Sequence, residues 1–310
     1  MRILVVGAGA LGGYYGGRLL SAGRDVTFLV RSKRAEALAT GGLSIRSKHG
    51  NLLLSAPPTV TASQLNEQFD IILLSCKAYD LDEAIHSFAP AVGTNTIIIP
   101  LLNGMRHIDV LNARFGADRI FGGQSLISAT LSDQGEVIHL SEFHTLSFGE
   151  QNAQKSSRLS AVAGVLQCAG FEAQASDNIL LDMWEKWVLV ATGAGASCLM
   201  RSSIGDLIAA GGRNFILKLF DECKSVATHA GYELRPHYVE KTRAMFTAAD
   251  SPLTSSMLRD IERGARTEGE QILGDLLARG APDAALIYLN TSFLHVKSYE
   301  TRKRRAERLD

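Results

Sequence analysis

The chain opens with a pattern that leaves few folds open to it. Ile3-Leu4-Val5-Val6 is a continuous apolar run, suited to a strand buried on both faces. Gly7-Ala8-Gly9-Ala10-Leu11-Gly12 follows directly, then a helix-compatible run from Leu11 to Ser21. Val26-Thr27-Phe28-Leu29-Val30 reads as a second strand. Strand, GxGxxG turn, helix and second strand form the context in which this glycine spacing signals a dinucleotide site. Gly7 permits the tight turn, Gly9 lets a pyrophosphate approach the backbone, and Gly12 lets the helix sit close to the strand. Ala8, Ala10 and Leu11 complete the loop, and the free N–H groups of the helix start favour an anion. The bland alternative is a glycine-rich turn that holds no ligand.

The end of the second strand chooses between cofactors. An NAD site usually carries Asp or Glu about 20 residues after the glycines, to bind the ribose 2′-hydroxyl. Here Val30 is followed by Arg31-Ser32-Lys33-Arg34, with no carboxylate. A guanidinium can pair with a 2′-phosphate through two charge-assisted hydrogen bonds. NADPH is therefore expected over NADH, with Arg31 as the discriminator. The competing reading makes Arg31 to Arg34 the decoration of a solvated loop.

With 310 residues the chain has room for one or two domains. Its net charge of +0 gives no reason to expect nucleic acid or an anionic membrane as partner. No apolar run reaches the ~18 residues of a membrane span, and the N-terminus enters the first strand with no signal-peptide pattern. Cys76, Cys168, Cys198 and Cys223 are scattered and form no CxxC pair, which suits reduced thiols in a cytoplasmic protein. The histidines lack metal-ligand spacing, so no metal is expected.

Up to about Gly149, apolar strand-like runs recur, several followed by helical patterns. Residues 70–75 and 96–100 are the strongest strands. Residues 43–45 and 52–54 suit a small antiparallel excursion, and 119–124, 136–140 and 145–148 suit later strands. After a helix from about Ser156 and a last short strand ending at Ala175, only helical periodicity remains, over 179–190, 213–230, 236–247, 255–263, 268–278 and 284–304. The fold class is thus α/β: a doubly wound, mostly parallel sheet domain over 1–174, then an all-helical domain over 175–310. A cleft between two such domains is a common place for a small-molecule site. The basic run 302–305 suits a solvated helix end.

Several residues could carry chemistry. Lys77 follows a buried strand at the edge where open sheets bind ligands, so it could reach a cofactor phosphate or ribose. Asn103 follows the next strand and could bind cofactor ribose or substrate; as Asn103-Gly104 it could equally be a turn pair. Lys186 stands in Trp184-Glu185-Lys186-Trp187, in a largely apolar helix. A lysine shielded from water has a lowered pKa and suits an acid working near neutral pH, although a snorkelling structural lysine fits the spacing as well. Ser256 and Glu268 are twelve residues apart, close enough for a helix and a turn to bring both to one cleft; a serine helix cap and a first-turn acid are the bland reading.

Taken in order, these segments resemble the ketopantoate reductase family, the NADPH-dependent 2-dehydropantoate 2-reductases. The resemblance runs over nearly the whole chain: Gly7 to Gly12, Arg31, Cys76-Lys77-Ala78, Asn103-Gly104-Met105, Gly135 to His139, Trp184-Glu185-Lys186, Ser255 to Ile261, and Thr267-Glu268. It implies a Rossmann-type domain followed by a helical domain, and a place in pantothenate biosynthesis. It implies Lys77 and Asn103 near cofactor and substrate, Lys186 as general acid, Ser256 on the substrate, and Glu268 beside the lysine. An ammonium fixed at a ketone oxygen stabilises the growing negative charge and then donates a proton. Where the family carries asparagines that hold the substrate, this chain has Val190, Ala194 and Leu253. Three polar contacts become apolar, which suits a more apolar carbonyl or imine. An NADP(H)-binding regulator without turnover is a third reading, opposed by retention of Lys186 and Glu268. A homodimer stays open.

Overall fold

The computed structural model describes residues 1–307; the last three residues of the expected helical domain, 308–310, lie outside the described residues. The chain divides into two compact units, Met1–Leu102 with His107–Leu180, and Asn103–Arg106 with the chain from Leu181 onward. The division falls inside the first turn of a long helix, a few residues past the end of the last strand.

The first unit is built on five parallel strands: β1 (Arg2–Val6), β2 (Asp25–Leu29), β5 (Thr59–Val60), β6 (Phe69–Leu74) and β7 (Val92–Pro100). Their order is β5-β2-β1-β6-β7, so the chain starts in the middle and its crossovers diverge on either side of β1. Ligands in open sheets bind at such a switch point, beyond the carboxyl ends of the strands. Ile3, Val5, Phe28, Ile71, Leu73, Ile97 and Ile99 are buried and form the core of this sheet. Helices α1 (Ala10–Ser21), α2 (Ser32–Gly41), α3 (Leu81–Phe88), α4 (Arg106–Phe115) and α5 (Ser157–Leu166) join and follow the strands.

A second sheet joins β3 (Leu43–Arg46), β4 (Leu52–Leu54), β8 (Phe121–Leu131), β9 (Val137–Glu150) and β10 (Glu172–Ala175). The expected β3–β4 excursion is there, antiparallel. The segments 136–140 and 145–148, expected as two strands, belong to the single strand β9, and β8 runs on to Leu131 to form a long antiparallel hairpin with it. The register slips between Ile127 and Ala129, where Leu140 to Phe143 bulge out of the ladder. That bulge breaks the alternation, which is why the sequence reads as two strands. Helix α1 packs against both sheets. A Cβ on Gly16 would stand 2.6 Å from the Phe28 ring, and one on Gly17 would stand 2.7 Å from the Ile45 side chain. Tyr15, fully buried, donates its hydroxyl hydrogen to the Thr145 carbonyl at 3.0 Å.

The second unit is helical: α6 (Ile179–Met200), α7 (Ile204–Ala209), α8 (Arg213–His229), α9 (Pro236–Phe246), α10 (Ser256–Glu262), a π-helical turn (Glu270–Gly274), α11 (Asp275–Ala278) and α12 (Ile287–Ala306). Helix α6 is buried almost all round, on Met183, Trp184, Trp187, Val188, Ala191, Ala194 and Cys198. It runs ten residues past the expected end at Val190. Gly193 and Gly195 weaken the helical signal there, but Gly195 lies against Leu219 and Ser292, where a Cβ would stand 3.1–3.2 Å from both. The expected helix 268–278 is a π-helical turn running into the short α11.

Glu185 is 2% exposed, and Arg235 holds it through the backbone N–H at 2.8 Å and the guanidinium at 2.5–3.1 Å. The same guanidinium pairs with Asp182. Removing the cation leaves a buried carboxylate with the backbone donor alone. We expect Arg235→Met to cost on the order of 2–3 kcal/mol in urea unfolding, less than for a fully buried pair because the guanidinium is half exposed.

Candidate active site

The glycine loop is shaped for close approach. Gly7 sits at φ +92°, a backbone conformation that side chains resist, and its N–H donates to the Leu29 carbonyl at 2.9 Å. A Cβ on Gly12 would overlap the Gly7 carbonyl oxygen and Ser75 Oγ, so the helix can lie this close to the strand only with glycine there. A Cβ on Gly9 would meet nothing within 4 Å. Gly9 is the N-cap of α1 and supplies no side-chain cap, and the first turn carries no acidic residue. The first-turn N–H groups, with Ala10 and Leu11 half-buried and Ala8 buried, thus face an open space suited to an anion. These residues fit a dinucleotide pyrophosphate.

Two braces of this loop escape sequence reading. Ser75, at the carboxyl end of β6, donates its hydroxyl hydrogen to the carbonyls of Val6 and Gly7, at 2.9 and 3.2 Å. Arg34 donates Nε–H to the Ala8 carbonyl at 3.2 Å and Nη2–H to the Gly135 carbonyl at 3.1 Å, and burial pulls its pKa down. Arg34 therefore does not decorate a solvated loop. Its position one turn into α2 is the only local hint, since both acceptors are distant in sequence.

Arg31 is the N-cap residue of α2, and its side chain is 69% exposed. It makes a two-pronged pair with Glu83 of α3, at 3.2 and 2.7 Å, with Asp80 at 3.7 Å. The hydrogen bond to Glu83 raises its pKa, so the guanidinium stays charged. Exposed pairs of this kind contribute only about 0–1 kcal/mol, so a phosphate could displace the carboxylate at small cost. Lys77 is half-buried and precedes the short 3₁₀ turn Ala78–Asp80, where its carbonyl accepts the Asp80 N–H at 2.9 Å.

In the helical unit, Trp184 and Trp187 are buried at 2% and 1% exposure, while Lys186 between them is half-buried. Burial of the ammonium lowers the Lys186 pKa to about 8, and the nearby Glu268 carboxylate opposes that shift. Lys186 and Glu268 thus lie within electrostatic reach of each other. Asn103 joins the same unit: its carbonyl accepts from Gln271 Nε2 at 3.3 Å, three residues beyond Glu268. Ser255, not Ser256, caps α10, its Oγ accepting from the Leu258 N–H at 3.0 Å and meeting Ser197 Oγ at 2.8 Å. Ser256 is exposed in the first turn. Of the three positions with apolar replacements, Val190 is half-buried and Ala194 buried, both on α6, and Leu253 is 38% exposed in the loop before α10. That loop is tied to the start of α7 by the Ile204 N–H, which donates to the Leu253 carbonyl at 2.9 Å. Among the described residues, no group of three or more His, Cys, Asp or Glu is arranged to hold a metal, and no helix is long and apolar enough to cross a membrane.

The family model described as ketopantoate reductase PanE/ApbA matches residues 3–153, and that of its C-terminal domain matches 178–284. A relative named uncharacterized oxidoreductase YkpB, from Bacillus subtilis, is 36% identical over 98% of this chain and 100% of its own. A 2-dehydropantoate 2-reductase from Archaeoglobus fulgidus is 32% identical over 90% of each chain. The crystal structure of 2-dehydropantoate 2-reductase from Methylococcus capsulatus superposes with a TM-score of 0.86, at 28% identity over 98% of both chains. With a glycine loop suited to a dinucleotide in one unit and a lysine–glutamate pair in the other, the chain belongs to the ketopantoate reductase family, and it is an oxidoreductase that uses a nicotinamide cofactor.

Proposed function

We propose that this protein reduces a 2-oxo acid to the 2-hydroxy acid with NADPH, and that Lys186 is the general acid. The observation that carries the reading is an ammonium whose pKa burial has drawn to about 8, beside a carboxylate that favours its charged form. A group with that pKa is mostly protonated at neutral pH and gives up its proton more readily than an exposed lysine. Residues 7–12 would hold the pyrophosphate, Arg31 the 2′-phosphate, and Lys77 and Asn103 the neighbouring parts of cofactor and substrate. The bound nicotinamide supplies the hydride. The Lys186 ammonium meets the ketone oxygen as negative charge grows there, donates a proton to it, and is left neutral. Glu268 keeps the lysine charged and oriented, and Ser256 contacts the substrate.

The substrate assigned by resemblance is 2-dehydropantoate, the activity named for the Archaeoglobus relative. A second reading, a more apolar 2-oxo acid, is favoured by Val190, Ala194 and Leu253. Polar groups of a hydroxylated acid would go unpaired against those side chains, at about 1–3 kcal/mol each. A panel of 2-oxo acids with NADPH separates the two. A higher kcat/KM for an apolar member than for 2-dehydropantoate selects the second.

Lys186→Ala should lower kcat by at least ~10²-fold; an unchanged kcat on the best substrate removes the proposed role. The acid must carry its proton, so kcat/KM for reduction should be level below about pH 8 and fall ~10-fold per pH unit above it. Glu268→Gln removes the charge that raises the lysine pKa, so this limb should move to lower pH. NADPH should be preferred to NADH in kcat/KM, and Arg31→Ala should reduce that preference at least ~10-fold, as expected for loss of a charge-assisted pair. Equal use of both cofactors by the parent enzyme would exclude the Arg31 assignment.

A further inference from the structure

We propose that Trp187 and Gln271 are positioning residues. Through the π-helical turn Glu270–Gly274 they keep Lys186, Glu268 and Asn103 in one register. The proposal rests on the reading of Lys186 as general acid. Trp187 Nε1–H donates to the Ile272 carbonyl at 2.9 Å, which ties the helix of Lys186 to that turn. Gln271, 6% exposed, donates Nε2–H to the Asn103 carbonyl at 3.3 Å, which ties the same turn to Asn103. Gly104, at φ +83°, lets the two segments close up: a Cβ there would stand 3.0 Å from the Gln271 carbonyl oxygen. The backbone N–H groups of Gln271 and Ile272 both donate to the Glu268 carbonyl, at 3.1 and 2.9 Å. Glu268 is thereby fixed to the residues that Trp187 and Asn103 contact.

The polar atoms are what distinguish this arrangement from ordinary packing. The Trp187 ring lies against Trp184, with centroids 4.9 Å apart, and against the Arg279 guanidinium at 5.7 Å. An apolar side chain of similar shape could keep most of that contact. Only the indole N–H reaches the Ile272 carbonyl. π-Helical turns are rare and gather at functional sites, because the wider turn redirects side chains that a regular helix would align. Here the turn begins two residues after Glu268.

The test uses Trp187→Phe and Gln271→Met, which keep apolar bulk and remove the donor. In Trp187→Phe the lysine drifts from the field of Glu268. Its pKa therefore falls, the alkaline limb of the pH profile moves to lower pH, and kcat drops on the order of 10- to 100-fold, the scale of a small misplacement. The dissociation constant for NADPH stays within twofold. Gln271→Met raises KM for the oxo acid as well, since Asn103 loses its tie. On a Glu268→Gln background, Trp187→Phe moves the limb no further, because the charge it couples to is gone. A lower melting temperature with an unmoved limb and kcat within twofold would make both residues merely structural and overturn the proposal. Should Trp187→Phe fail to fold, Gln271→Met carries the KM–kcat split alone. An active Lys186→Ala enzyme would instead overturn the general-acid reading itself, so the two failures are distinguishable.

Discussion

Withdrawing an ammonium from water costs free energy unless something nearby favours its charge, and the helical unit is arranged around that cost at Lys186. Burial draws the Lys186 pKa down to about 8, and the Glu268 carboxylate opposes that shift. The balance is delicate because both effects depend on small distances. Trp184 and Trp187, both buried, flank the half-buried lysine on one turn of α6. The Glu185–Arg235 pair fixes the same turn from α9, so the lysine sits between two anchored neighbours in sequence.

The nucleotide half follows a different logic. Its glycine loop is shaped by what is missing: a Cβ on Gly12 has no room, whereas one on Gly9 would project into free space. Ser75 and Arg34 then hold loop carbonyls, so the backbone is fixed in place before a ligand arrives. Arg31 is also held, by Glu83, in a two-pronged pair. Preorganisation of this kind lowers the ordering cost of binding.

What could be read from sequence, and what could not, divides by distance along the chain. Gly7 to Gly12 announce themselves because turn, helix start and close approach are all local. Trp184-Glu185-Lys186-Trp187 is visible as an oddity for the same reason. The partners of these residues were not visible. Nothing in the neighbourhood of Arg34 points to Ala8 or Gly135, and nothing near Trp187 points to Ile272. The helical signal of α6 fades after Val190 because Gly193 and Gly195 weaken it; Gly195 is the one that lets α8 and α12 approach, through Leu219 and Ser292. Strand β9 reads as two because the bulge at Leu140 to Phe143 breaks its alternation. Spacing alone does not pair Lys186 with Glu268; the family resemblance implies it.

The π-helical turn makes chain length matter as much as residue identity. Such a turn holds more residues than an ordinary helical one, and from it the Gln271 side chain reaches Asn103 while the Ile272 carbonyl accepts from Trp187. Deleting a single position between Glu268 and Asp275 would let the backbone relax into a regular helix. It would also rotate every following side chain by about 100°, given 3.6 residues per turn. A related sequence could thus retain both the lysine and the glutamate and still have lost their alignment through a one-residue gap. Within this segment, indels are more informative than substitutions.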